Sequence, residues 1–229
     1  MSAEQGSAVV AVDGPSGSGK SSVARAVAAK LGLRYLDTGA MYRAVTWWML
    51  EHDVPVDDAG AVTAAIGRPV LEVTADPAEP RFTVDGVDVD EAIRTREVTN
   101  AVSAVSAVPA TRERLVAEQR AIIGAGGIVV EGRDIGTVVA PDATVKVYLV
   151  ADEEVRAARR VGDSNARLGT DVTVTRTEQA RRDAADAARK SSPLAKADDA
   201  VEVDSTELGF AEVVDRVLDL VREATERHG

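Results

Sequence analysis

Gly14-Pro15-Ser16-Gly17-Ser18-Gly19-Lys20-Ser21 is the stretch on which the fold turns. It has the form G-x-x-x-x-G-K-[ST], whose glycines let the backbone curl until successive N–H groups point at one anion. Just before it, Ala8–Asp13 (AVVAVD) is a short β-branched run of the kind that forms a buried strand. Just after it, helical patterning runs to about Leu31, so the loop opens a helix whose positive end faces the same anion. Lys20 is placed to reach the β- and γ-phosphates of a nucleoside triphosphate, and Ser21 to offer its hydroxyl to Mg2+. Together with Ser22, this octapeptide is the expected ATP-binding segment. It implies that a triphosphate binds and leaves open what becomes of the phosphate.

Further along the chain, strands and helices alternate. Arg34–Leu36 reads as a second strand and Ala40–Glu51 as a helix. Helical patterning resumes from Glu97 to Gly124, broken at Pro109; Ile128–Glu131 and Val145–Val150 are buried-strand runs. Helices are expected at Asp152–Arg160, Thr177–Arg189 and Phe210–Glu226, with a last strand at Ala200–Val203. Such alternation predicts an α/β fold of the P-loop NTPase type, a five-stranded parallel sheet with helices on both faces. Val70–Thr74, Arg81–Val84 and Val87–Val89, with Asp85-Gly86 as a hairpin signal, break the alternation and predict a small antiparallel insertion. The expected division is a core at 1–60, 95–160 and 177–229, an acceptor-binding insertion at about 61–94 and a lid at about 161–176. Ligands bind at the carboxyl ends of parallel strands. The unusual residues fall there: Gly14–Ser21, Asp37–Arg43, Gly132–Gly136 and Asp204-Ser205-Thr206 each follow a strand.

Composition narrows the setting. A net charge of −11 argues against a nucleic-acid backbone as main partner. With no cysteine there are no disulfides or thiolate metal sites. No apolar run is long enough to span a bilayer and no leader is evident at MSAEQGS, so the chain reads as cytoplasmic. Its 27 basic residues are 22 arginines and 5 lysines. Arginine suits bidentate phosphate binding, but a GC-rich genome would produce the same bias, so position must decide which arginines matter.

A guanine-specifying N-K-x-D element is absent, and the third strand ends Glu131-Gly132-Arg133-Asp134 rather than in the acidic pair of large ATPases. Arginines follow several strands instead, as a kinase of phosphorylated acceptors requires, because transfer between phosphates gathers negative charge in one cleft. Six motifs then occur in order. They are Leu36-Asp37-Thr38-Gly39-Ala40-Met41-Tyr42-Arg43, Ile93–Val98, Asn100–Ser103, Glu131–Val139, Arg182-Asp183-x-x-Asp186-x-x-Arg189 with Ser192-Pro193-Leu194, and Val203–Thr206. In this set the chain resembles the bacterial-type cytidylate kinases, over essentially its whole length and including the β insertion.

The resemblance implies ATP-dependent phosphorylation of CMP or dCMP with Mg2+, by a monomer. It implies that Arg43 and Arg133 bind the acceptor phosphate with Thr38 and Tyr42 nearby, and that Ser103, Arg112 and Asp134 read the cytosine ring. Arg182 and Asp186 would hold the sugar hydroxyls, and Arg189 would bridge the phosphates, with Lys20 and Arg133 acting in catalysis beside it. Cytosine offers a donor amine beside two acceptors, so a carboxylate and a serine oxygen suit the first and an arginine the second. Read without the family, Arg182, Asp186 and Arg189 could equally be a solvated ladder on one helix face. Trp47, Trp48 and Tyr148 read as core, and His52 as an exposed bystander. The lid stretch Gly162–Arg176 holds only Arg167 and Arg176; of Arg156, Arg159 and Arg160 just before it, Arg160 is the expected catalytic one. Asp37 is the expected carboxylate for Mg2+ beside Ser21. Two other readings stay open: a P-loop kinase of another acceptor (UMP, AMP or shikimate) and a non-catalytic nucleotide sensor.

Overall fold

Successive residues of the first strand, β1 (Val9–Asp13), pack into two different cores. Val10 and Val12 join Val129, Val147 and Leu149 under one layer of helices, while Ala11 joins Leu36, Ile128 and Val130 under the other. A strand buried on both faces must be apolar throughout, which is why AVVAVD reads as a run and not an alternation. The computed structural model describes residues 7–164, 172–188 and 194–228, with the side chains at 160–164, 172–175, 178, 182, 227 and 228 undescribed.

The main sheet is parallel, in the order β2-β6-β1-β7-β8. Its other strands are β2 (Arg34–Asp37), β6 (Ile128–Gly132), β7 (Val145–Val150) and β8 (Val201–Asp204). Helices α1 (Lys20–Leu31) and α8 (Phe210–His228) cover one face. The other carries α2 (Thr38–Glu51), α3 (Ala59–Ala65), α4 (Arg96–Ala107) and α5 (Pro109–Ile123). The strand order makes β1 central, so its loop opens into the crevice between helical layers. The antiparallel insertion is also present: β3 (Leu71–Thr74), β4 (Arg81–Val84) and β5 (Val87–Asp88) form a second sheet, its Phe82 and Val84 packed into the α2 core.

Several boundaries differ from the sequence reading. Helix α2 begins at Thr38 because the Asp37 carboxylate accepts from Ala40 N at 2.9 Å and caps it, ending β2 at the same residue. The break at Pro109 stands where it was read, and proline starts a second helix there, since at a first helical position it lacks only an N–H the helix cannot use. The stretch expected to separate α6 from α7 is shorter than read. Helix α6 (Glu153–Ser164) runs past Arg160, and α7 (Val172–Ala187) starts before Thr177. The expected lid thus contains the ends of two helices, and its residues 165–171 lie outside the described residues. Trp48 is core but also donates to Asp85 in the insertion at 2.6 Å, and His52 stacks on it at 4.0 Å. Tyr148 is only half-buried.

Candidate active site

The phosphate loop follows β1 into a cleft of about 1140 Å³. At Gly14 (φ 150) a Cβ would lie 2.1 Å from Leu149 O, and at Gly17 (φ 77) 2.5 Å from the Gln179 amide, so neither position admits a side chain. Lys20, at the start of α1, curls back so that Nζ donates to Pro15 O at 3.2 Å, the posture of a lysine folded over its own loop. Burial pushes its pKa down, Arg133 adding to this and Glu131 opposing it.

The carboxylate beside the loop is not the one expected. Ser21 Oγ donates to Glu131 Oε1 at 2.6 Å, and the other Glu131 oxygen is 4.0 Å from Lys20 Nζ. Asp37 lines the same wall but spends one oxygen capping α2. Glu131 is buried; desolvation and then the adjacent Asp37 push its carboxyl well above the usual range. The sequence places Glu131 at the carboxyl end of a strand, but only the pairing of that strand with the loop strand, Val12 opposite Glu131, brings it to Ser21. Hard oxygen donors on a serine and one or two carboxylates suit Mg2+, which takes few protein ligands and completes its shell with phosphates and water. Among the described residues no larger cluster of His, Asp or Glu could hold a metal.

At the other end the cleft is walled by α2, α4, α5 and the segment after β6. Arg112 and Asp134, both buried, form a salt bridge there, and the guanidinium sits over the Tyr42 ring at 5.4 Å. Ser103 lines the same end. Thr38 Oγ1 donates to Glu131 O at 2.8 Å, and Arg43 donates to Thr99 Oγ1 at 2.9 Å and to Ile93 O at 3.3 Å. Arg133 stands between the two ends: Nη1 donates to Gly14 O at 2.7 Å and Nε pairs with Asp186 at 3.0 Å. The residues expected to read the base and bind the acceptor phosphate are therefore gathered in one cleft with the phosphate loop. The Arg160 and Arg182 side chains and all of Arg189 lie outside the described residues.

Three further residues come to the loop that the sequence reading had not assigned. Asp183 on α7 accepts from Ser16 N at 3.0 Å and from Arg156 Nη1 at 2.5 Å, with Arg133 at 3.7 Å. Arg156 on α6 also donates to Ser16 O at 2.9 Å. Arg159, one turn on, donates to Ser205 Oγ at 2.8 Å and Ser205 O at 2.7 Å, which joins the phosphate loop to the segment after β8. No spacing rule could rank these neighbours, since each partner lies far away in sequence.

The family model for cytidylate kinase matches residues 10–223. Among curated relatives, a cytidylate kinase of Streptomyces griseus is 58% identical, covering 94% of this chain and 93% of its own. One from Rhodococcus opacus is 53% identical, over 95% of this chain and 96% of its own. A crystal structure of an uncharacterized protein from Eubacterium ventriosum matches at a TM-score of 0.52 with 10% identity, over 95% of this chain and 99% of that one, a likeness of fold alone. With a phosphate loop, an arginine bridging both ends of the cleft, and relatives alike over nearly the whole sequence, the chain belongs to the cytidylate kinase family of nucleoside monophosphate kinases.

Proposed function

We propose that the cleft transfers the γ-phosphoryl of ATP to CMP or dCMP, giving ADP and CDP or dCDP. The observation that carries this reading is the buried Arg112–Asp134 pair under Tyr42, at the end of the cleft away from the phosphate loop. A carboxylate there accepts from the exocyclic amine of cytosine, with Ser103 beside it, and the guanidinium donates to the ring nitrogen and carbonyl. Uracil would turn a carbonyl toward Asp134 and be rejected. Arg112, whose side chain lines the cleft and whose Nε is a buried donor without a partner among the described residues, supports a ligand at the acceptor end.

The acceptor is an anion, so no general base is needed. An acceptor phosphate oxygen attacks the γ-phosphorus in line as the bond to the ADP oxygen breaks. Lys20 and the loop amides hold the donor phosphates, and Arg43 and Arg133 hold the acceptor phosphate with Thr38. Asp186 keeps Arg133 aimed and, with Arg182, takes the sugar hydroxyls; Arg189 bridges the phosphates. Mg2+, held at Ser21 by Glu131 with Asp37 behind it, would neutralise charge on the donor phosphates. Arg156 and Arg159 secure the loop from α6, leaving Arg160 as the lid cation. Closure of the insertion at about 61–94 and the lid at about 161–176 excludes water, which would otherwise take the phosphoryl group. All of these groups come from one chain, which fits a monomer.

An acceptor panel with ATP and Mg2+ tests this reading. CMP and dCMP are expected to be phosphorylated far faster than UMP or AMP. Equal rates with UMP would sink the cytosine assignment, and ATP binding without any phosphorylated acceptor would favour the sensor.

A further inference from the structure

Asp13 ends β1 one residue before the phosphate loop, and nothing in the transfer chemistry uses it. Its carboxylate is only 5% exposed and makes no salt bridge among the described residues. Burying an unpaired carboxylate is costly, and here burial raises its pKa to about 6. Two backbone amides hold it. Oδ1 accepts from Ile135 N at 2.8 Å and Oδ2 from Gly136 N at 2.7 Å. These are the first amides of a π-helical turn, Ile135–Val139, that follows β6.

Amides at the start of a helical turn have no partner within the turn, and the side chain just before them ordinarily supplies one. That residue is Asp134, among the best capping residues, yet its side chain makes no cap bond. Its carboxylate goes instead to Arg112. Parallel pairing puts Asp13 opposite Gly132, so its side chain reaches the turn from the next strand.

We propose that Asp13 is the positioning residue for acceptor recognition, capping the turn after β6 from β1 so that Asp134 stays free to read cytosine with Arg112. This rests on the reading of Asp134 and Arg112 as the base contacts. Without the Asp13 carboxylate, the residue left at the capping position before the Ile135 and Gly136 amides is Asp134 itself. Turning back to cap its own turn would take Asp134 from Arg112 and from the base. Asp13 thereby also ties the strand that carries the phosphate loop to the turn that selects the acceptor.

The test compares Asp13→Asn, Asp134→Asn and the double variant, reading kcat and KM for CMP and UMP and the Kd for ATP. Asp13→Asn is expected to keep ATP affinity within about twofold and to raise KM for CMP more than it lowers kcat. Its CMP-to-UMP ratio of kcat/KM should fall about tenfold, and the double variant should fall no further than Asp134→Asn alone, because residues acting through one another are not additive. An unchanged ratio in Asp13→Asn beside a lowered one in Asp134→Asn would overturn the role of Asp13. Equal losses with both acceptors would also overturn it, leaving a structural strut. A ratio unmoved by Asp134→Asn would instead overturn the cytosine reading underneath. Should Asp13→Asn not fold, Asp13→Ser takes its place with the same outcomes.

Discussion

The two ends of the cleft are built in opposite ways. The donor end comes from nine neighbouring residues, Gly14–Ser22, and works mainly through backbone amides that curl wherever the glycines allow. The acceptor end is assembled from α2, α4, α5 and the turn after β6, and its polar groups are side chains paired with one another. The first can be written into a chain as a word. The second exists only once separate elements pack, and it carries the desolvation cost of a buried ion pair. Binding any triphosphate is thus a local property, whereas choosing one base is a tertiary one.

Substitutions should separate the two. Lys20→Ala attacks the donor end and is expected to lower kcat about 10³-fold with CMP and UMP alike, since it removes one charge from the transferring group. Similar losses across acceptors in steady-state assays check this, and a loss confined to CMP would break the division. Arg112→Met attacks the acceptor end and leaves Asp134 buried and unpaired, at about 3–5 kcal/mol. The melting temperature should fall by roughly 10 °C, while CMP binding by calorimetry is lost and ATP binding is kept in the folded fraction. Adding Asp134→Leu should restore most of the stability and none of the CMP binding, because paired removal of a buried ion pair costs little.

The smallest expected effect is on stability against pH. The folded-state pKa of Asp13 is raised from 3.8 to about 6 by burial. A raised carboxyl keeps its proton longer when folded, so its contribution is fully present below about pH 4 and lost as pH rises through 6. The swing is about 3 kcal/mol at most. Chemical denaturation between pH 4 and 7 should show a shallower slope in Asp13→Asn than in the parent, the buried Glu131 carboxyl supplying the part that remains.

Much of the molecule was legible in sequence. The apolar run before Gly14 and the helical pattern after it specify strand, loop and helix, and the alternation beyond specifies the parallel sheet. The break at Val70–Val89 marked the insertion. The arginines were legible only where the family resemblance carried them, as at Arg43, Arg112 and Arg133. Arg34 donates to Ile122 O, Ile123 O and Gly126 O, and so caps the end of α5. Arg25 holds the Pro77 and Ala78 carbonyls, and Arg120 those of Val138 and Val139. These are structural, whereas Arg112, Arg133, Arg156 and Arg159 meet the cleft or its loop. The two groups share a side chain and differ only in where the fold puts it.

What the sequence by itself determined is what depends on neighbours along the chain: the phosphate loop, the order of strands and helices, and the family motifs. Tertiary structure alone decided which carboxylate meets Ser21, that Arg156 holds the phosphate loop, and that Asp13 caps the turn beginning after Asp134. Each of these is a buried polar group whose desolvation must be offset by a partner. Those partners lie on other elements: Ser21 reaches Glu131 across 110 positions and Ile135 reaches Asp13 across 122. Periodicity and spacing carry no information about them.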